Sequence, residues 1–186
     1  RNQKFQTNDG FRSFYSIDMP IVSDTNTLTN FYNYKVFSEL FENNISSLSI
    51  SLSSANSLTG DDIKLSERLY IPQKKLRGFV KGKVGPKDGS DYIGGNYYST
   101  LNLSSTLPQV LPSIENISVS TFVDIGNVWG VDDNSLDESS KLRSSIGIGI
   151  DYFTVVGPLS FTFAQPITKA DTDAEETFRF NLGTTF

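Results

Sequence analysis

Apolar and polar residues alternate along most of the chain, and this pattern predicts β-strands rather than helices. In the clearest case Leu48, Ile50 and Leu52 alternate with the serines of residues 47–53. Such a strand has one apolar face and one polar, uncharged face. The same alternation marks residues 12–22, 31–41, 97–107, 116–129, 142–153, 158–166 and 178–186. The sequence therefore predicts an all-β, antiparallel fold of about eight strands.

The lengths of these strands and of their connections favour a transmembrane β-barrel. Each strand is close to the ~9–11 residues that a tilted strand needs to cross a bilayer. Short links at 42–45 and 155–158 contrast with long polar loops at 131–141 and 167–176. Aromatic residues fall near strand ends, as at membrane interfaces: Tyr97, Tyr98, Trp129, Tyr152, Phe153, Phe178 and Phe186. A soluble β-sandwich with core aromatics remains the alternative.

The composition argues against several classes of function. Neither cysteine nor histidine occurs, so disulfides, thiolate chemistry and the usual base of a nucleophilic enzyme are excluded. We expect no enzyme, no catalytic residue, no cofactor and no metal site. The net charge of −5 and the lack of a basic stripe with interleaved aromatics argue against nucleic acid as a partner.

One long connection, about residues 56–95, is unlike a simple hairpin turn. It is rich in glycine and carries a basic cluster: Lys74, Lys75, Arg77, Lys81, Lys83 and Lys87. Glycine permits tight or positive-φ backbone, and a connection this long usually has a structure and a role of its own. The alternative for the basic cluster is a solvated loop.

Seven short motifs occur together in one order. They are LRGF (76–79), GP (85–86), GGN (94–96), DIGNVW (124–129), SIGIGIDY (145–152), VGPLSFTFAQPI (156–167) and FRFNLGTTF (178–186). From about residue 67 to 186 the chain resembles the barrel of the BamA family of outer-membrane assembly factors, the bacterial surface antigen barrels. The resemblance implies the last eight strands of a sixteen-strand barrel within residues 1–186. It also implies that this chain is a piece of a longer protein and lacks the family's N-terminal periplasmic repeats.

The resemblance also implies roles for the long loop. In the family this loop folds back into the barrel lumen, and Leu76, Arg77, Gly78 and Phe79 match its motif. Asp124 matches the aspartate that pairs with the motif arginine, and alternation places it on the lumenal face. Where the family has a second acid this chain has Asn102, so we expect one charge and one neutral amide to hold the arginine. We expect Phe79 to be a packing plug and Glu67 a second loop anchor. In the alternative, Arg77 and Asp124 only line a polar lumen.

The last predicted strand resembles the C-terminal signal strand of outer-membrane barrels. Phe178, Phe180, Leu182 and Phe186 face outward, and Gly183 permits a bend. In the family the seam between the first and last strands is short and can part. An exposed edge at that seam could template a client strand by β-augmentation.

The implied function is folding and insertion of β-barrel proteins into the Gram-negative outer membrane. The implied partners are unfolded outer-membrane protein clients, accessory assembly lipoproteins and outer-membrane lipid. A translocation or secretion pore of the same superfamily is the alternative function. An outer-membrane hydrolase is disfavoured by the missing histidine.

Overall fold

The computed structural model describes residues 9–21, 26–42, 44–108, 116–131, 135–136, 138–154 and 157–183. In the described residues, eight strands form one antiparallel sheet in the order β1-β2-β3-β6-β7-β8-β9-β10. These strands are β1 (Gly10–Asp18), β2 (Thr27–Ser38), β3 (Ser46–Ser57), β6 (Tyr97–Thr106), β7 (Ile117–Trp129), β8 (Arg143–Thr154), β9 (Gly157–Thr168) and β10 (Phe178–Leu182). Two short strands, β4 (Lys87–Asp88) and β5 (Asp91–Tyr92), form a separate ribbon. The predicted all-β antiparallel fold is confirmed.

Several strand bounds differ from the sequence prediction. β1 ends at Asp18, before Pro20, because proline has no N–H to donate to a ladder. β3 continues to Ser57, which pairs with Thr27 of β2. The long loop therefore begins after residue 57 rather than at 56. In the described residues β10 ends at Leu182, four residues short of the predicted end, and Phe186 lies outside the described part.

The two faces of the sheet have the reverse of a soluble protein's polarity. Polar side chains are buried on what we call the inner face: Ser49, Ser51, Ser53, Thr100, Asn102, Asp124, Arg143 and Ser145. Apolar side chains are exposed on the outer face, among them Ile50, Leu52, Leu103, Ile146, Ile148 and Phe163. A soluble sandwich would cover its apolar face with a second sheet. No such cover exists within the described ranges, so the outer face suits a lipid environment.

The inner face is covered by the loop that connects β3 to β6. Ile71, Leu76, Phe79 and Val84 of the loop pack with Tyr98 and Val128 of the sheet in one buried apolar cluster. The loop has its own local structure, with 3-10 turns at Leu65–Glu67 and Gln73–Lys75 and the β4–β5 ribbon. The packed core of the molecule thus lies between this loop and the inner face.

Across the described residues, the structure contains no helix with the length and apolar character needed to cross a membrane.

Candidate functional site

Arg77 and Asp124 form a two-pronged ion pair between the loop and β7. Nε of Arg77 lies 2.7 Å from Oδ2 of Asp124, and Nη2 lies 2.7 Å from Oδ1. The backbone N–H of Arg77 also donates to Oδ2, at 3.0 Å. Asp124 is fully buried, whereas 22% of the Arg77 side chain is exposed. This fork geometry makes the carboxylate a specific receptor for the guanidinium rather than one polar residue among many.

Two neighbours complete the pair, and one corrects an expectation. The ring of Phe122 lies 3.5 Å from Cζ of Arg77, which places the cation over an aromatic face. Asn102 donates from Nδ2 to Oδ1 of Asp124 (2.9 Å) and to the carbonyl of Lys75 (2.7 Å). The expectation that the Asn102 amide holds the arginine is therefore wrong. An amide N–H cannot accept a bond from a guanidinium, and here it orients the carboxylate instead.

Gly78 lets the loop lie directly on the sheet. Its φ of +91° is in the left-handed region, and an added Cβ would be 3.2 Å from Cβ of Ser145 and 3.3 Å from Cβ of Ala164. Oγ of Ser145 donates to the carbonyl of Arg77 at 2.5 Å. A side chain at position 78 would therefore strain the backbone and crowd both β8 and β9.

Phe79 follows immediately and is buried, with 1% of its surface exposed. It belongs to the apolar cluster with Leu76 and Val84. Its placement matches that of a packing plug between the loop and the sheet.

Glu67 lies at a different point of the loop from the motif. Thr27, at the start of β2, donates from Oγ1 to Oε2 of Glu67. Nearby, Leu69 and Gly95 exchange two backbone hydrogen bonds that close the base of the loop. The structure thus does not bring Glu67 into contact with Arg77, but it ties Glu67 to the sheet.

Lys75 is a cation beside the ion pair. Its Nζ donates to Oγ of Ser49 at 3.3 Å. Burial lowers the pKa of Lys75, and the Asp124 carboxylate opposes that shift. The Asp124 carboxylate therefore interacts with two cations of the loop, Arg77 and Lys75.

Among the described residues, the last strand of the sheet is the shortest. β10 makes five residue pairs with β9, and Phe178 and Phe180 lie 5.1 and 5.2 Å by ring centroids from Phe163 and Phe161. Phe178, Phe180 and Leu182 are each at least half exposed on the outer face. The N–H of Gly183 donates to the carbonyl of Pro158 at 2.8 Å.

Sequence reasoning missed the contacts between the loop and the segment before β10. Val80 and Glu176 donate their backbone N–H groups to the carbonyls of Ala174 and Gly78, each at 2.9 Å. Arg143 and Asp173 form a second ion pair, with 0% of either side chain exposed. The available signal was Arg143 on the same face of β8 as Ser145, Gly147 and Gly149, together with an acidic loop at residues 171–176.

Comparison with known proteins identifies relatives of this chain. The Omp85 superfamily domain matches residues 1–186. The outer membrane protein assembly factor BamA of Neisseria meningitidis is 30% identical over an alignment of 141 residues, which covers 60% of this chain and 17% of that protein. A SAM50-like protein of Schizosaccharomyces pombe is 27% identical over 150 residues, 75% of this chain and 31% of that protein.

A solved structure agrees with the sequence comparisons. The crystal structure of BamA from Haemophilus ducreyi lacking POTRA domains 1–3 matches with a TM-score of 0.86 at 25% identity. The match covers 100% of this chain and 40% of that chain. The chain therefore spans only part of each of these three proteins, and less than a third of the two curated relatives.

Proposed function

The chain belongs to the Omp85 superfamily, and from that premise we propose that it is the C-terminal half of the barrel of an outer-membrane protein assembly factor. The chain is part of a non-enzymatic, outer-membrane β-barrel of the BamA and SAM50 type. The observation that carries the further step is the fit of the whole chain to the barrel of an assembly factor, with a TM-score of 0.86.

The proposed action needs no covalent chemistry. The short β10 strand lies at an edge of the sheet. Its backbone groups on the side away from β9 have no partner among the described residues. An unpaired edge can add a strand from another chain, because backbone hydrogen bonds are open on that side. In our proposal this edge, at a seam that parts, templates an incoming client strand. The ion pair of Arg77 and Asp124 fixes the loop motif against the barrel wall. In our proposal this contact keeps the wall in the conformation in which the seam can open.

The partners follow from the proposed action. Unfolded outer-membrane proteins are the clients, and the apolar outer face of β8 to β10 contacts outer-membrane lipid. Accessory assembly lipoproteins and N-terminal periplasmic repeats belong to the same proposal.

The test uses the full-length protein in its host, in a strain from which the native copy can be depleted. Arg77→Ala and Asp124→Ala are compared with Asp151→Asn, an inner-face acid of β8 that bonds Ser160 rather than the loop. Folded porins and the variant itself are followed by heat-modifiable gel mobility. We expect porin assembly to fall in the two loop variants while the variant barrels still reach the membrane, and the control to behave as the native protein.

A different outcome would favour the alternative function. If porins assemble normally and only solute permeability or export of one substrate changes, the loop is a plug or gate. The protein would then be a translocation or secretion pore, and the assembly proposal would be wrong.

A further inference from the structure

Arg143 is the most completely bonded charged side chain in the described structure, and the loop motif does not include it. It lies at the start of β8 with 0% of its side chain exposed. Its guanidinium has five N–H groups, and five hydrogen bonds are formed. Nε and Nη2 donate to Asp173 at 2.8 and 3.0 Å, Nη1 to Oδ1 of Asn127 at 2.7 Å and to the Lys141 carbonyl at 2.9 Å, and Nη2 to Glu138.

The Asp173 carboxylate accepts hydrogen bonds from Arg143, from its own segment and from the long loop. Besides Arg143, Oδ2 accepts the N–H of Ala170 at 2.7 Å, and Oδ1 accepts the N–H of Gly85 at 3.3 Å. Gly85 belongs to the long loop, seven residues beyond Gly78. We call Glu138, Arg143 and Asp173 the clasp, because these side chains join the 131–142 connection, β8, the segment before β10 and the long loop.

The segment before β10, residues 169–177, is hydrogen-bonded through the backbone of Ala174 and Glu176 to the long loop. Beyond the Val80 and Glu176 bonds, the N–H of Ala174 donates to the Lys83 carbonyl at 3.0 Å. Nη2 of Arg179, in β10 itself, donates to the Phe79 carbonyl at 3.3 Å and pairs with Glu176. Residues 78–80 and 174–176 therefore form one antiparallel bridge, with Phe79 opposite Glu175, just before the last strand.

The loop is consequently held at two places, Arg77 and Gly85, and an arginine–aspartate ion pair takes part in each hold. At one, Arg77 of the loop binds an aspartate of the sheet; at the other, Arg143 of the sheet holds Asp173, which binds the loop at Gly85. The loop is closely packed on the sheet at the second place, since a Cβ on Gly85 would lie 2.3 Å from Cγ1 of Val128. Both aspartates are fully buried, so solvent screens neither contact strongly.

We propose that Arg143 and Asp173 are positioning residues that fasten the loop motif to the segment entering the last strand, so that the loop and the start of β10 move as one unit. The positioning role itself does not depend on the assembly function. Only its consequence rests on that function: a β10 strand released from the loop assembles clients poorly. Loss of Asp173 removes the hold on the loop at Gly85, whereas the ion pair of Arg77 and Asp124 remains.

The test measures loop position separately from assembly. Val84, which is buried in the loop's apolar cluster, is changed to cysteine in the full-length protein, with any cysteine outside this chain replaced by serine. Intact cells are treated with a membrane-impermeant maleimide, and the labelling rate is compared with and without Asp173→Asn. Loss of charge-assisted bonds should raise the labelling rate about tenfold or more, since labelling follows local opening. Porin assembly is followed in the same cells.

Two controls keep the result interpretable. Asp171→Asn makes the same chemical change two residues away at an exposed position, and we expect it to leave labelling and assembly unchanged. Because Asp173→Asn leaves a buried guanidinium with one carboxylate fewer, that variant could fail to fold. The double variant Arg143→Met/Asp173→Asn also removes the buried guanidinium, leaves only the partly exposed Glu138 carboxylate without its partner, and should give the same rise in labelling.

Each outcome decides the proposal. A rise in labelling with slower porin assembly, at unchanged levels of heat-modifiable variant barrel, supports it. Unchanged labelling in both the single and the double variant overturns it. Raised labelling with normal porin assembly, in cells where Arg77→Ala does impair assembly, also overturns it and leaves the assembly function intact. If Arg77→Ala and Asp173→Asn both leave porins unaffected, the assembly function fails, and with it the consequence claimed for the clasp.

Discussion

Single residues determine how closely the loop can approach the sheet. Asp124 accepts four hydrogen bonds, three from Arg77 and one from Asn102, so its charge is matched although no water-exposed surface remains. Gly78 is the matching feature on the loop, because its backbone has a positive φ and a Cβ there would lie 3.2 and 3.3 Å from the Cβ atoms of Ser145 and Ala164. Glycine at position 78 therefore lets the loop lie close enough to the sheet for the buried ion pair to form.

Gly78→Ala should therefore loosen the loop, and Gly82→Ala is a matched control. Both glycines have positive φ, but nothing lies within 4 Å of a Cβ at Gly82. The backbone penalty of about 1–2 kcal/mol applies to both, and crowding adds about 1 kcal/mol or more at Gly78 alone. Maleimide labelling of Val84→Cys should rise clearly more for Gly78→Ala than for Gly82→Ala. Equal rises would mean that the contact with Ser145 and Ala164 does not hold the loop.

Among the strands, β10 has the fewest ladder pairs in the described part of the chain. It makes five pairs with β9, whereas β2 and β3 make twelve. The end of β10 meets Pro158, which can accept the Gly183 N–H through its carbonyl but has no N–H to return. A ladder that is short and interrupted at its end opens at lower free energy than its neighbours.

Gly183→Val should impair client assembly by changing this end of the strand. A Cβ at position 183 would lie 2.9 Å from Cγ of Pro158 and 3.3 Å from its carbonyl oxygen, and a β-branched residue also stiffens the strand. Leu182→Val, on the exposed outer face, introduces β-branching without that contact and is the control. Porin assembly in the depletion strain should fall for Gly183→Val and not for Leu182→Val. Unchanged assembly in the glycine variant would argue against a flexible seam.

At the scale of the whole molecule, the sheet has two open edges. β1 pairs only with β2 and β10 only with β9 among the described residues. The outer face adds a broad exposed apolar surface. In lipid, backbone groups at an open edge cannot find water, so a spanning sheet must be closed by further strands.

Residues 1–186 produced alone in detergent should therefore not form a uniform monomer. We expect a mixture of oligomers by size-exclusion chromatography with light scattering, because open edges pair with each other. Production together with the remainder of the barrel should give one species with heat-modifiable mobility. A stable, heat-modifiable monomer of the chain alone would show that β1 and β10 can close on each other, and would contradict this expectation.

Sequence alone was sufficient for the features that depend on period and on local backbone chemistry. Alternation predicted the strands and assigned Asp124 to the inner face and Leu52 to the outer face, because side chains in a strand must point to opposite sides in turn. The contact between Arg77 and Asp124 was predicted by combining that face with a family resemblance. Strand ends were less accurate, as at β1 and β3, since they depend on which residues find a partner across the ladder.

Only the tertiary structure decided which loop residues meet. Asp173 and Gly85 are 88 residues apart, and loops have no period from which such a contact could be predicted. The same holds for Asn102, whose amide could have faced either Arg77 or Asp124 until the register of β6 against β7 set it directly opposite the carboxylate. Alternation determines the face of a residue, whereas the partner on that face depends on how the whole chain folds around it.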